Sequence, residues 1–124
     1  MGPPLRGINR LIKAFGYSIK GLRAGWQHEE AFRQEAMLTA VMLPLAFWVG
    51  RGPLDYAVLI GSLFIVLITE LLNSGVEALT DRVSEEPHEL SGRAKDLAAA
   101  AVFLSLVMMA VVWTFVGYAR FAGS

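Results

Sequence analysis

The sequence predicts an all-α membrane protein in one domain, with an N-terminal amphipathic surface helix followed by three transmembrane helices. Three observations carry this. Of 124 residues, 55% are hydrophobic and mean hydropathy is +0.49, too apolar for a soluble domain this small, in which surface dominates volume. Three apolar runs recur between short polar turns. The N-terminal segment alternates apolar and basic residues at helical spacing. Basic and acidic residues balance at 11 each, so a nucleic-acid footprint is not indicated. The absence of cysteine excludes disulfides, thiolate chemistry and cysteine-ligated metal. Arg6, Arg10 and Lys13 interrupt the N-terminus, which does not read as a signal peptide.

The surface helix is expected over about 6–27. Ile8, Leu11, Ile12, Phe15, Ile19, Leu22 and Trp26 fall within an arc of roughly 100° on a helix of about 100° per residue. Arg6, Arg10, Lys13, Tyr17 and Lys20 take the other side, as in a helix lying in the membrane interface with cations toward headgroups or an anionic ligand. The transmembrane helices are expected at about 30–49, 55–82 and 91–120. Only the last has the roughly 20 apolar residues of an unambiguous span. Gly50-Arg51-Gly52-Pro53 separates the first two spans, and a polar loop, Ser84 to Glu89, separates the last two. Ser91 is the expected cap of the third span. Most basic residues lie before the first span or between the second and third. That places the N-terminus and the second loop on the cytoplasmic side.

The second span ends in TELLNSGVEALTD, residues Thr69 to Asp81. On a helix, Glu70, Asn73, Ser74, Glu77, Thr80 and Asp81 cover an arc of roughly 120°. Carboxylates facing hydrocarbon cost at least several kcal/mol, so this stripe must face protein, water or a ligand, and neighbouring chains or the surface helix are its expected cover. Glu70 and Glu77, with the amide of Asn73 between them, are hard oxygen donors suited to Mg²⁺. His28 and His88 are the only histidines, which argues against zinc. Lys95 and Arg10 are cations available to phosphates. This inventory fits a Mg²⁺–nucleotide site with one carboxylate left as general base. It also fits a proton or ion pathway, or structural pairing between helices. Asp81 is read as a partner of Arg82 or of a helix end.

Four blocks, KAFGYSIKGLRAGW, EEAFRQE, ELLNSGVEALTDR and HELSGRAKD, in that order and with three spans, resemble the bacterial integral-membrane diacylglycerol kinase family. The resemblance runs from about Arg10 to the end of the third span. It implies a homotrimer at the bacterial inner membrane that transfers the γ-phosphate of Mg-ATP to the free hydroxyl of diacylglycerol, making phosphatidic acid. By resemblance, Glu29 and Glu77 are the metal-ligating carboxylates and Glu70 is the base for the lipid hydroxyl. Asn73 supports the phosphate region. Arg10, Tyr17, Lys95 and Asp96 match nucleotide contacts, with Glu86 and His88 near adenine and ribose. Ala31, Phe32, Arg33, Gln34, Glu35, Trp48 and Trp113 match lipid contacts. The sequence departs from the family at Pro87, where an aromatic residue is common, and in the Gly-Arg-Gly-Pro turn. An undecaprenol kinase of the same superfamily is the alternative by resemblance.

Overall fold

The computed structural model describes residues 3–83 and 89–123. Among them the regular elements are four helices: α1 Pro3–His28, α2 Glu30–Val49, α3 Pro53–Val83 and α4 Glu89–Phe121. α1 stands apart from the bundle for most of its length. Leu11 is 73% and Phe15 69% exposed, so its apolar stripe has no protein to lie against within the chain. Contact is made at its end. Gly25 is buried, and a Cβ there would stand 3.0 Å from side-chain atoms of both Leu71 and Phe32. Glycine therefore sets how closely α1 approaches the other helices.

α2 follows without a loop. Glu29 breaks the helix with an extended backbone, φ −116° and ψ 106°. Arg33 Nη1 then donates to the carbonyl oxygen of Trp26 at 2.8 Å. A cation thus satisfies a free carbonyl at the end of α1, where the helix dipole also favours it. Phe32, Thr39 and Ala46 are buried on α2, every seventh residue, as in a straight seam between two helices.

The chain reverses at Gly50–Gly52. Gly50 N–H donates to the Ala46 carbonyl at 2.9 Å. Pro53 opens α3 where a missing N–H costs nothing. Asp55 Oδ2 accepts the N–H of Arg51 at 3.0 Å, a carboxylate at a helix N-terminus. α3 is central. It buries Leu59, Ser62, Leu63, Val66 and Glu70 and packs most extensively against α4. Two polar stitches cross that seam. Trp113 Nε1 donates to Ser62 Oγ at 3.1 Å, and Ser105 Oγ accepts from Thr69 Oγ1 at 2.9 Å. Ala46, Val49 and Leu59 form the tightest cluster, with Ile60, Val112, Trp113 and Val116 against it.

α3 and α4 are each long and apolar enough to cross a membrane. Only 6% of the apolar window of α4 is buried, and Ser105 is its one buried residue among those described. The core helix of a soluble protein would be mostly covered, so α4 is built to face lipid or another chain. α2 is 20 residues long, and Arg33, Gln34 and Glu35 occupy its early turns. One expectation is corrected. Ser91 lies inside α4, so it is not the cap, and Glu89 supplies the acidic first turn that the helix dipole favours.

Candidate active site

The stripe on α3 does not face one way. Its residues fan out between three neighbours. Ser74, with Leu71, Gly75 and Ala78, lines a cavity of about 730 Å³ against the end of α1, where Ser18, Gly21, Gly25, His28 and Glu29 form the opposite wall. Asn73, with Thr69, Leu72 and Val76, lines a groove of about 480 Å³ against Ala94, Leu97, Ala98 and Ala101 of α4. Glu70 is turned into the packed interior at 7% exposure. Asp81 reaches α4, where its Oδ1 pairs with Lys95 Nζ at 2.5 Å. Asp81 is therefore the partner of Lys95, not of Arg82 or a helix end. Thr80 bonds back onto its own helix, its hydroxyl donating to the Glu77 carbonyl at 3.1 Å.

Glu29 is placed by the break between α1 and α2. It occupies the N-cap of α2, yet its side chain makes no capping bond. Its carboxylate is not used to cap the helix and is free to meet something else. It lies half-buried at the rim of the α1–α3 cavity. Glu77 is exposed one turn beyond Asn73. No group of three or more His, Cys, Asp or Glu converges among the described residues. Among the described residues, one chain thus offers no closed protein cage for a metal. Mg²⁺ does not require one, because it keeps waters and takes one or two carboxylates plus substrate phosphates. The uncapped Glu29 and the exposed Glu77 fit that donor set.

Asn73 Oδ1 is a buried acceptor without a hydrogen-bond partner among the described residues. A buried amide oxygen left unpaired costs about 1–3 kcal/mol, so a donor from a ligand or another chain is expected there. Glu70 also makes no hydrogen bond or ion pair to a described residue.

The other residues singled out by sequence are spread along the molecule. Arg10 and Tyr17 are exposed on α1, with Lys20 Nζ 5.9 Å from the Tyr17 ring centroid. Asp96 is exposed beside Lys95. Ala31 and Gln34 are exposed, and Glu35 is half-buried. Phe32 is buried beneath Gly25, and Arg33 is engaged by α1 carbonyls. Trp48 stacks on Phe121 with centroids 5.2 Å apart. It lies about 28 Å along α2 from Glu29, at 1.5 Å per residue. Trp113 is held against the core by Ser62. Neither tryptophan is brought near the carboxylates. Glu86 and His88, with Pro87 between them, lie outside the described residues. Sequence reasoning missed the Gly25 contact and the Lys95–Asp81 pair.

Comparison with known proteins identifies the family. The family model for prokaryotic diacylglycerol kinase matches residues 16–117. A protein named diacylglycerol kinase from Escherichia coli (strain K12) is 44% identical over 115 residues, 93% of this chain and 94% of that one. Its namesake in Haemophilus influenzae is 42% identical over 107 residues, 86% of this chain and 91% of that one. The Pseudomonas aeruginosa protein of the same name is 43% identical over 107 residues, 86% of this chain and 87% of that one. All the helices carrying the carboxylates and Lys95 fall wholly or largely inside the matched region, and the chain belongs to the prokaryotic diacylglycerol kinase family.

Proposed function

We propose that this protein transfers the γ-phosphate of Mg-ATP to the free hydroxyl of diacylglycerol, yielding phosphatidic acid. The site lies at the cytoplasmic face of the bacterial inner membrane. The observation that carries this is Glu70: a carboxylate 7% exposed on an apolar membrane helix, one turn from Asn73 and two from Glu77. A water-soluble donor and a lipid-soluble acceptor must meet at the membrane surface, and such a helix end spans that boundary.

Phosphoryl transfer asks for positioning and charge stabilisation more than for covalent chemistry. Glu29 and Glu77 would hold Mg²⁺, which when bound would supply charge stabilisation for the phosphates. Asn73 orients the γ-phosphate. Lys95, steadied by Asp81, and Arg10 neutralise the phosphates, and Tyr17, Glu86, His88 and Asp96 complete the nucleotide site. Glu70, about one turn deeper than Asn73, takes the proton of the hydroxyl arriving from the bilayer. The α1–α3 cavity is mostly apolar along Leu22, Leu71 and Ala78 and suits acyl chain. Phe32 and Arg33 support that region beside Gly25 and the end of α1, Ala31, Gln34 and Glu35 are the candidate direct contacts near it, and Trp48 and Trp113, at the far end of the bundle, would meet only the distal part of an acyl chain.

The working unit in this reading is a homotrimer of three-span subunits, α2 being the third span. The small residues Ala94, Ala98 and Ala101 beside the unpaired Asn73 oxygen support close approach of another helix, since membrane interfaces favour small side chains and interhelical hydrogen bonds. The test is one assay: purified protein in lipid with labelled ATP, Mg²⁺ and either diacylglycerol or undecaprenol. Label in phosphatidic acid is the expected result. Label only in the polyprenol would assign the alternative acceptor, and ion flux in liposomes with no transfer would reject a kinase altogether.

A further inference from the structure

The joint between α1 and α2 contains a single residue, Glu29, and its backbone is tied on both sides. It is extended, with φ −116° and ψ 106°, so the chain leaves one helix axis and enters the next within one residue. Glu29 N–H nevertheless donates to the Gly25 carbonyl at 3.0 Å, and the Glu29 carbonyl accepts the N–H of Arg33 at 3.1 Å. The end of a helix leaves its last carbonyls without internal partners. Two of them, on Trp26 and Gln27, accept from one nitrogen of Arg33. Nη1 stands 2.8 Å from the first oxygen and 3.4 Å from the second. Arg33 lies one turn into α2, and side chains on a helix lean back toward its N-terminus. Its guanidinium therefore reaches back across the joint, where the negative end of the α1 dipole favours a cation.

α3 braces the same joint. Gly25, whose carbonyl accepts the Glu29 N–H, is buried, and a Cβ there would stand 3.0 Å from side-chain atoms of Leu71 on α3 and Phe32 on α2. With its backbone held before and after, Glu29 has one uncommitted part, its carboxylate, which makes no capping bond. Glu29 stands at the rim of the α1–α3 cavity, whose far wall includes Ser74 and Ala78, the residues that flank Glu77 on its own helix. An arginine that bound a lipid ester would aim its N–H groups at the ester oxygens. Nη1 of Arg33 is engaged instead by peptide carbonyls of α1.

We propose that Arg33 is a positioning residue for Glu29. Its guanidinium locks the elbow between α1 and α2 and so fixes where the Glu29 carboxylate stands relative to α3, the helix that carries Glu77. This rests on the reading of Glu29 and Glu77 as Mg²⁺ ligands given above. Two ligands on different helices hold an ion well when their separation is set before the ion arrives, because ordering left to the binding step is subtracted from affinity. A joint of one extended residue can swing about its own φ and ψ, and the bond from Arg33 to the Trp26 carbonyl closes that hinge. Arg33 needs no contact with lipid for this role, although its segment resembles lipid-contacting positions.

The test uses the full chain in lipid bilayers, with Mn²⁺ as the probe ion and a non-hydrolysable ATP analogue present. Mn²⁺ binding is read by electron paramagnetic resonance. Arg33→Met keeps an unbranched side chain but removes the donor. It should weaken Mn²⁺ binding by about 10- to 100-fold, the range for groups that orient metal ligands, and speed amide hydrogen exchange at Glu29 and Arg33. KM for diacylglycerol should stay as in the wild type. Arg33→Lys, which offers one nitrogen to the same carbonyls, should restore most of the Mn²⁺ affinity. Should Arg33→Met fail to fold, Arg33→Gln, whose shorter amide falls short of the Trp26 carbonyl, carries the same expectations. Unaltered exchange at the elbow overturns the lock. Unaltered Mn²⁺ affinity with a raised KM for diacylglycerol makes Arg33 a lipid contact and overturns the proposal. Glu29→Gln tells the proposal from the reading beneath it. Undiminished Mn²⁺ binding in that variant rejects Glu29 as a ligand, whereas weakened binding there beside unaltered binding in Arg33→Met rejects only the role given to Arg33.

Discussion

At the Gly50 end of the bundle, Ala46, Val49 and Leu59 close against Trp113 and Val116. At the Glu29 end, the same helices carry Glu35, Glu70, Asn73 and Glu77, with cavities on both sides of α3. The first end satisfies its polar atoms internally: Asp55 holds the Arg51 N–H, Arg51 Nη2 donates to the Arg120 carbonyl at 2.9 Å, and Ser62 holds the Trp113 indole. The second leaves a carboxylate uncapped and an amide oxygen buried without a partner. Unsatisfied groups cost stability, and concentrating them at one end fits the proposed reading, in which ligands and neighbouring chains complete that end. The difference teaches that one hairpin seam can serve as an anchor at one end and as a reactive surface at the other.

The comparison can be broken by substitutions that should affect rate at one end and stability at the other. Removal of Mg²⁺ with a chelator should abolish phosphate transfer while circular dichroism keeps its helical signal. A collapse of helicity would mean the ion is structural. Glu70→Gln should lower kcat by about 10²- to 10⁴-fold, the range for a general base, with the thermal transition in detergent unmoved. Leu59→Ala should do the reverse, destabilising by about 2–5 kcal/mol through cavity formation while the folded fraction keeps its specific activity. Gly25→Leu should raise KM for the lipid, because its side chain would meet Phe32 and Leu71 at the cavity wall; an unchanged KM would detach that cavity from lipid binding. The smallest effect is expected of Asp81→Asn. It frees Lys95 from its exposed partner, and a shift in KM for ATP with kcat unchanged would tie that pair to nucleotide binding.

Much of this was legible in the residues. The periodicity of Ile8 to Trp26 indicated the helix observed as α1, and the three apolar runs fall inside α2, α3 and α4. Glycine and proline at 50–53 gave the turn. Glu70, Asn73 and Glu77 stood out because charge on an apolar helix has few harmless explanations. Other features were harder to read. Ser91 has the chemistry of a cap but sits within a helix, since local preference yields to the length of the packed element. Asp81 has a basic neighbour in sequence, yet adjacent residues on a helix point apart, and its partner lies across the bundle on α4.

The sequence by itself determined the elements, the solvent they require and the chemical character of the site, because periodicity and transfer free energy are properties of short segments. Only the tertiary structure decided how one polar stripe is divided among three neighbours, that Gly25 sets the approach of α1, and that Asp81 is the partner of Lys95. Those facts depend on the register between helices far apart in the chain, and register is fixed by the packing of the whole seam.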